Sequence, residues 1–198
     1  GTQMVAKGLN FPRVTLVGVL SADQSLYSDD FRSNERGFDL LTQVVGRSGR
    51  GTKRGRAIIQ TYTPENPVIA LASHQDYVHF YEQEILFRKA MLYPPFADIV
   101  VIGFVGEQES KVAKASQLFL EMLSHLASKE YSELPIRALR PTPAQVAKVS
   151  NKYRYKLMIK CKNNLKFRTM LFRLLVACGK EKAFAGVTVY ADSNPDMI

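Results

Sequence analysis

The run Tyr153-Arg154-Tyr155-Lys156-Leu157-Met158-Ile159-Lys160-Cys161 constrains this chain more than any other stretch. Its polarity alternates with a period of two, which suits an extended strand and no helix. Tyr153, Tyr155, Leu157, Ile159 and Cys161 share one face, and Arg154, Lys156, Met158 and Lys160 share the other. A strand divided in this way rests on a core with one side and meets solvent with the other.

The surrounding residues supply what such a strand needs. Ile99 to Val105 reads as a second strand, and Val187 to Tyr190 and Ile136 to Leu139 as two shorter ones. Val112, Ala115, Phe119, Met122, Leu123 and Leu126 recur at helical spacing. Phe167, Met170, Leu171, Leu174, Leu175 and Cys178 do the same, with Gly179 as a candidate cap. Residues 140–152, with Pro141 and Pro143, read as a connection. The order strand, helix, strand, strand, helix, strand is the split βαβ, ferredoxin-like pattern. The expected domain is α+β, with two helices on one face of a four-stranded antiparallel sheet.

The first half is patterned differently. Val14 to Leu20 is an apolar run suited to a buried parallel strand, and Arg56 to Tyr62 reads as another. Residues 34–46 and 68–91 read as helices. Tyr93-Pro94-Pro95-Phe96 breaks the second of these, which predicts two domains, 1–95 and 96–198.

Charge separates the halves further. The chain carries 27 Lys and Arg against 18 Asp and Glu, and most of the +9 excess lies beyond residue 95. Arg137 to Arg173 contains 11 basic residues and no acidic one. Such a field concentrates polyanions, and it also serves as a solvated surface. Both cysteines lie in apolar patterns and no Cys-x-x-Cys pair occurs, so a zinc site is not expected and a reducing cytoplasm fits. No 18-residue apolar run predicts a membrane span, and residues 1–20 do not read as a signal peptide. His74, His79 and His125 read as surface or helix residues. Lys53, Arg54 and Arg56 read as solvated charge or an extension of a nucleic-acid surface.

Two stretches carry phosphate-type chemistry. Gln43-Val44-Val45-Gly46-Arg47-Ser48-Gly49-Arg50 places two arginines three apart across a glycine, which lets both guanidinium groups reach one compact anion. Gly1-Thr2-Gln3-Met4-Val5-Ala6-Lys7-Gly8-Leu9-Asn10-Phe11-Pro12 combines glycines, a hydroxyl and an ammonium, all phosphate-positioning groups. An ordinary basic loop accounts for either one alone. The Walker A pattern is absent from the chain.

Taken in order with Asp30-Phe31-Arg32-Ser33-Asn34-Glu35-Arg36 and Tyr93-Pro94-Pro95-Phe96, these stretches resemble the PriA (primosomal protein N′) family of bacterial replication-restart helicases. Gly1–Pro12 is similar to helicase motif V and Gln43–Arg50 to motif VI. The resemblance runs along essentially the whole chain.

It implies an ATP-driven 3′-to-5′ DNA helicase that recognises stalled forks and restarts replication by primosome assembly. Residues 1–95 are then the distal part of a second RecA-like lobe. Arg50 is the implied arginine finger, with Arg47 beside it and Gln43 in support, because developing phosphoryl charge needs preplaced cations. Thr2 and Lys7 are implied DNA contacts. Asp23 either orients a motif residue or is a plain surface carboxylate. The C-terminal domain is implied to resemble ribosomal protein S10 and to bind branched DNA and single-strand-binding protein. Lys148, Lys152, Arg154, Lys156 and Lys160 are its candidate backbone-contacting set. Tyr153 and Tyr155 either stack on bases or belong to the core.

ATP and Mg would be shared with a first lobe, and zinc would belong to a cysteine-rich insertion, neither of which this chain carries. By itself it is expected not to hydrolyse ATP. Expected partners are forked and single-stranded DNA, single-strand-binding protein and primosome proteins, with no membrane, in a cytoplasmic, nucleoid-associated setting. The alternative is a non-enzymatic adaptor that binds nucleic acid or docks a protein.

Overall fold

The computed structural model describes residues 14–28, 30–46 and 55–195 of the 198. Contacts divide the chain into two compact units, residues 1–87 and 88–198, so the division falls within a helix.

In the first unit, β1 (Leu16–Val19) and β2 (Arg56–Ile59) pair in parallel, with Leu16 opposite Arg56 and Val19 opposite Ile59. Among the described residues two helices lie between them in sequence, α1 (Asp23–Leu26) and α2 (Ser33–Val45), and a parallel pair needs such a crossover. Helices α3 (Pro67–Ser73) and α4 (Tyr77–Met91) follow. The core gathers Ala22, Leu26, Phe38, Leu41, Val68, Ile69, Ala72 and Phe80, with Val19 and Ile59 packed against it. The Phe38 and Phe80 rings stack at 4.1 Å between centroids. Gly37 permits the contact of α2 with α1, because a Cβ there would come within 2.3 Å of Leu26 Cδ2.

Two expectations change here. The strands are not buried on both faces: Leu16 is 59% and Ile58 54% exposed, while Val19 and Ile59 pack inward. The helix expected over 68–91 is two helices. Gln75 takes a left-handed φ of 56°, and Asp76 then starts α4 by accepting a hydrogen bond from His79 N.

The second unit is α+β, with a five-stranded antiparallel sheet. Its elements are β3 (Asp98–Gly106), α5 (Glu109–Glu130), β4 (Arg137–Ala138), β5 (Thr142–Val149), β6 (Lys152–Cys161), α6 (Leu165–Lys180) and β7 (Val187–Ser193). The order is β4-β6-β3-β7, with β5 also paired to β6. The basic strand β6 is therefore interior, as expected.

Val100, Ile102 and Phe104 of β3 join Leu157, Ile159 and Cys161 of β6 beneath both helices. Every residue of the two expected helical stripes packs into or against this core. Asn164 caps α6 by accepting from Phe167 N at 2.9 Å. Gly179 does not cap that helix, which continues to Lys180.

Residues 140–152 differ most from expectation. They hold a strand, β5, whose pairing shifts register between Pro143 and Lys148. Ser150 and Asn151 join β5 to β6 as a two-residue turn with φ of 48° and 59°, both positive as a type I′ hairpin turn needs. Pro141 precedes β5, and Pro143 is tolerated within it because β5 lies at the sheet's edge.

Candidate nucleic-acid interface

The helices cover one side of the second unit's sheet, and strand register defines the other. Lys152, Arg154, Lys156, Met158 and Lys160 point away from the helices, because Tyr153, Tyr155, Leu157 and Ile159 pack toward them. Cross-strand pairing places Gly103 opposite Lys156 and Val105 opposite Arg154 on β3. It continues to Tyr190 opposite Gly103 and Thr188 opposite Val105 on β7. On the β5 side, Thr142 lies opposite Lys156.

Lys152, Arg154 and Lys156 thus form a row on one surface, each about 6.7 Å from the next along the strand. Arg137, Arg140 and Lys162 extend the acid-free stretch of sequence around them. Asp192 of β7 is a carboxylate on the same face, one same-face pairing step beyond Tyr190, and Glu107 is a second one beside Lys152. Lys152 also lines a cleft of about 310 Å³ with Lys111, Glu107 and Thr188.

Lys160 and Lys148 leave the set drawn from the sequence. Lys160 is 6% exposed. Its Nζ donates to Met91 O at 2.6 Å and stands 3.8 Å from the centre of the Tyr93 ring. Burial, with Arg137 nearby, lowers its pKa. The segment before β3 therefore covers that end of the face. Lys148 pairs with Tyr153 and so lies on the helix side of β5, 4.6 Å from the Tyr153 ring centre.

Tyr153 and Tyr155 pack against the core. The Tyr155 hydroxyl bonds Glu109 Oε1 at 3.4 Å, and burial together with that carboxylate raises its pKa. They belong to the helix side and not to the open face. Two more cations of the basic run are paired there. Arg173 donates to Glu130 at 2.7 Å and to the Tyr131 hydroxyl at 2.9 Å, and Lys166 pairs with Glu133.

The sequence reading missed Tyr190. The signal was present, since a period of two in Val187-Thr188-Val189-Tyr190 sets Thr188 and Tyr190 apart from the core-facing valines. The Gly103 signal was present as well. A glycine inside a strand costs about 0.5–1 kcal/mol relative to alanine and marks a close approach. Here the approaching group is the Tyr190 ring.

In the first unit, Thr2, Lys7, Arg47, Arg50, Lys53 and Arg54 lie outside the described residues. Gln43 is exposed near the end of α2, and Arg56 is exposed at the start of β2. Asp30, where the third family-like stretch begins, caps Arg32 N and pairs with Arg36 at 2.8 Å, which organises the start of α2.

Asp23 accepts hydrogen bonds from Thr61 Oγ1, Tyr62 N and Thr63 Oγ1. Desolvation raises its pKa, but these bonds outweigh it and hold the carboxyl below the ordinary range. Its observed role is to tie α1 to the segment after β2.

His79 pairs with Asp76 at 2.6 Å, which raises its pKa, and His74 Nδ1 lies 2.9 Å from Ala70 O. Burial pushes the thiols of Cys161 and Cys178 up to about 12 and about 11, as befits small apolar fillers. No group of metal-binding side chains occurs among the described residues, and no described helix is long and apolar enough to cross a membrane.

Residues 89–195 match the family model described as "Primosomal protein N C-terminal domain". The chain is 40% identical over 198 residues to "Replication restart protein PriA" of Bacillus subtilis, covering all of this chain and 24% of that protein. It is 39% identical over 198 residues to the Synechocystis protein of the same name, covering all of this chain and 22% of that one. The Treponema pallidum protein of that name is 35% identical over 197 residues, covering 98% of this chain and 28% of that one. The chain spans about a quarter of the length of these relatives. Its second unit coincides with the matched family domain, and the chain belongs to the primosomal protein N C-terminal domain family.

Proposed function

We propose that this chain serves replication restart as part of an ATP-dependent 3′-to-5′ DNA helicase, and that its second unit grips the DNA backbone at the fork. The observation that carries this reading is the row Lys152, Arg154 and Lys156 on the open face of the sheet. Three cations on alternate residues of an interior strand are held at fixed spacing by the ladder. Lys152 is exposed and Arg154 and Lys156 are half-buried, and the row offers its charges to successive phosphates. Such contacts displace condensed counterions, so they give affinity without sequence preference. A restart protein needs that, because forks stall at any sequence.

The first unit is read as part of a second RecA-like lobe. Support comes from its parallel strands with an intervening helical crossover and from the motif-like stretches at 1–12 and 43–50. Arg50 and Arg47, supported by Gln43, are proposed to neutralise phosphate charge on ATP that is held with Mg by another lobe. Thr2 and Lys7 are proposed to touch the DNA backbone. Zinc is assigned to another part of the longer protein. Single-strand-binding protein and primosome proteins are proposed as partners, in a cytoplasmic, nucleoid-associated setting. The domain's proposed kinship is ferredoxin-like and similar to ribosomal protein S10, supported by its element order and strand neighbours.

The test is fluorescence anisotropy with forked, single-stranded and duplex DNA of equal length at two salt concentrations. The expected result is tightest binding to the fork, with affinity that falls as salt rises. Equal weak binding to all three, or tighter binding to an acidic peptide, would contradict the fork reading.

A further inference from the structure

We propose that the open face also carries a base-stacking site. The ring of Tyr190, laid against Gly103 beside Lys156 and Arg154, takes an unpaired base of the DNA strand whose phosphates those cations meet. This inference rests on the phosphate-binding reading of the same face.

The geometry is specific. Tyr190 sits on β7, directly across from Gly103 on β3, which is itself directly across from Lys156 on β6. A Cβ on Gly103 would come within 2.2 Å of Tyr190 Cζ, 2.5 Å of Cε1 and 2.6 Å of the hydroxyl. The ring tip therefore rests on bare backbone, and any side chain at position 103 would lift it. Tyr190 nevertheless remains 42% exposed. The ring is pinned to the sheet and open to solvent, so it pays little entropy when a flat partner arrives.

Its surroundings match a nucleotide. Lys156 lies in the same cross-strand row, and Arg154 and Thr188 lie in the next. A base on the ring leaves its phosphates within the territory of these cations. Asp192, two residues along β7, repels phosphate on the other side. The strand's backbone is thus directed toward β6 and away from the far end of β7. An aromatic platform flanked by a basic groove is the arrangement that holds single strands, and it tolerates sequence because every base has a π-face. Paired bases are stacked inside the duplex and cannot use it. The site therefore reads unpairing, the property that separates a fork from intact duplex.

The test compares a single-stranded oligonucleotide with the same backbone carrying abasic sites, by anisotropy. The protein should bind the intact strand about 5- to 100-fold more tightly than the abasic one. Tyr190→Ala should abolish that ratio and leave the salt slope unchanged, since no cation is lost. Tyr190→Phe should restore the ratio. Gly103→Ala, which displaces the ring, should reduce it.

Equal affinity for intact and abasic strands in the unmutated protein overturns the stacking site, and needs no variant. An unchanged ratio in Tyr190→Ala overturns it too. If the abasic strand binds as well as the intact one, and Arg154→Ala and Lys156→Ala weaken both, the phosphate reading stands and the stacking site fails. No binding of either strand at low salt defeats both.

Discussion

Replacing Lys152, Arg154 and Lys156 together with glutamate is expected to lower affinity for single-stranded DNA about 100-fold at low salt. Each lost phosphate contact costs roughly 1 kcal/mol, so three contacts amount to about two decades in Kd. Reversal in place of neutralisation adds repulsion to that loss. The salt dependence supplies a second readout. A single strand loses about 0.7 in the slope of log affinity against log salt for each phosphate released, so the variant's slope should be shallower by about 2. The three side chains face away from the helices and the apolar core, and circular dichroism of the variant checks that the fold is kept. A variant that binds like the parent would remove this face from the interface.

Phe104→Ala should have the largest effect on stability. Phe104 is fully buried in the second half of β3, and its ring meets Phe119 of α5 edge-on at 5.5 Å between centroids. Removing a buried Phe side chain costs about 3–5 kcal/mol, a large part of the roughly 5–15 kcal/mol that holds a domain together. Urea denaturation should show the midpoint falling accordingly. A loss under about 1 kcal/mol would mean that α5 does not close over β3 as described. Position 104 is one residue from Gly103, yet the two serve opposite sides of the sheet. Phe104 holds the fold together, and Gly103 shapes the surface.

How much of this was legible depends on whether the cause is local. The two-residue period of Tyr153–Cys161 and the helical stripes of α5 and α6 were readable because neighbouring residues share one environment. The same period showed that Lys160 lies on the non-helical face. It could not show that Met91 and Tyr93, nearly seventy positions earlier, return to cover it. Strand β5 was hidden by Pro143, by Pro141 just before it and by the register shift, and an edge strand tolerates an internal proline and such a shift. The Ser150-Asn151 turn was the available clue. Tyr190 resting on Gly103 depends on the register between strands far apart in sequence, and no local pattern encodes that. In the first unit the apolar runs marked strands but not which of their faces would be covered.

The most direct measurement is lysine footprinting by acetylation and mass spectrometry, with and without single-stranded DNA. DNA should protect Lys152 and Lys156. Lys114 and Lys129 on α5, across the sheet, should react equally in both conditions. Lys160, already covered by Met91 and Tyr93, should react slowly in both. Protection of the α5 lysines with Lys152 and Lys156 unchanged would place the DNA on the opposite side of the domain and contradict the account.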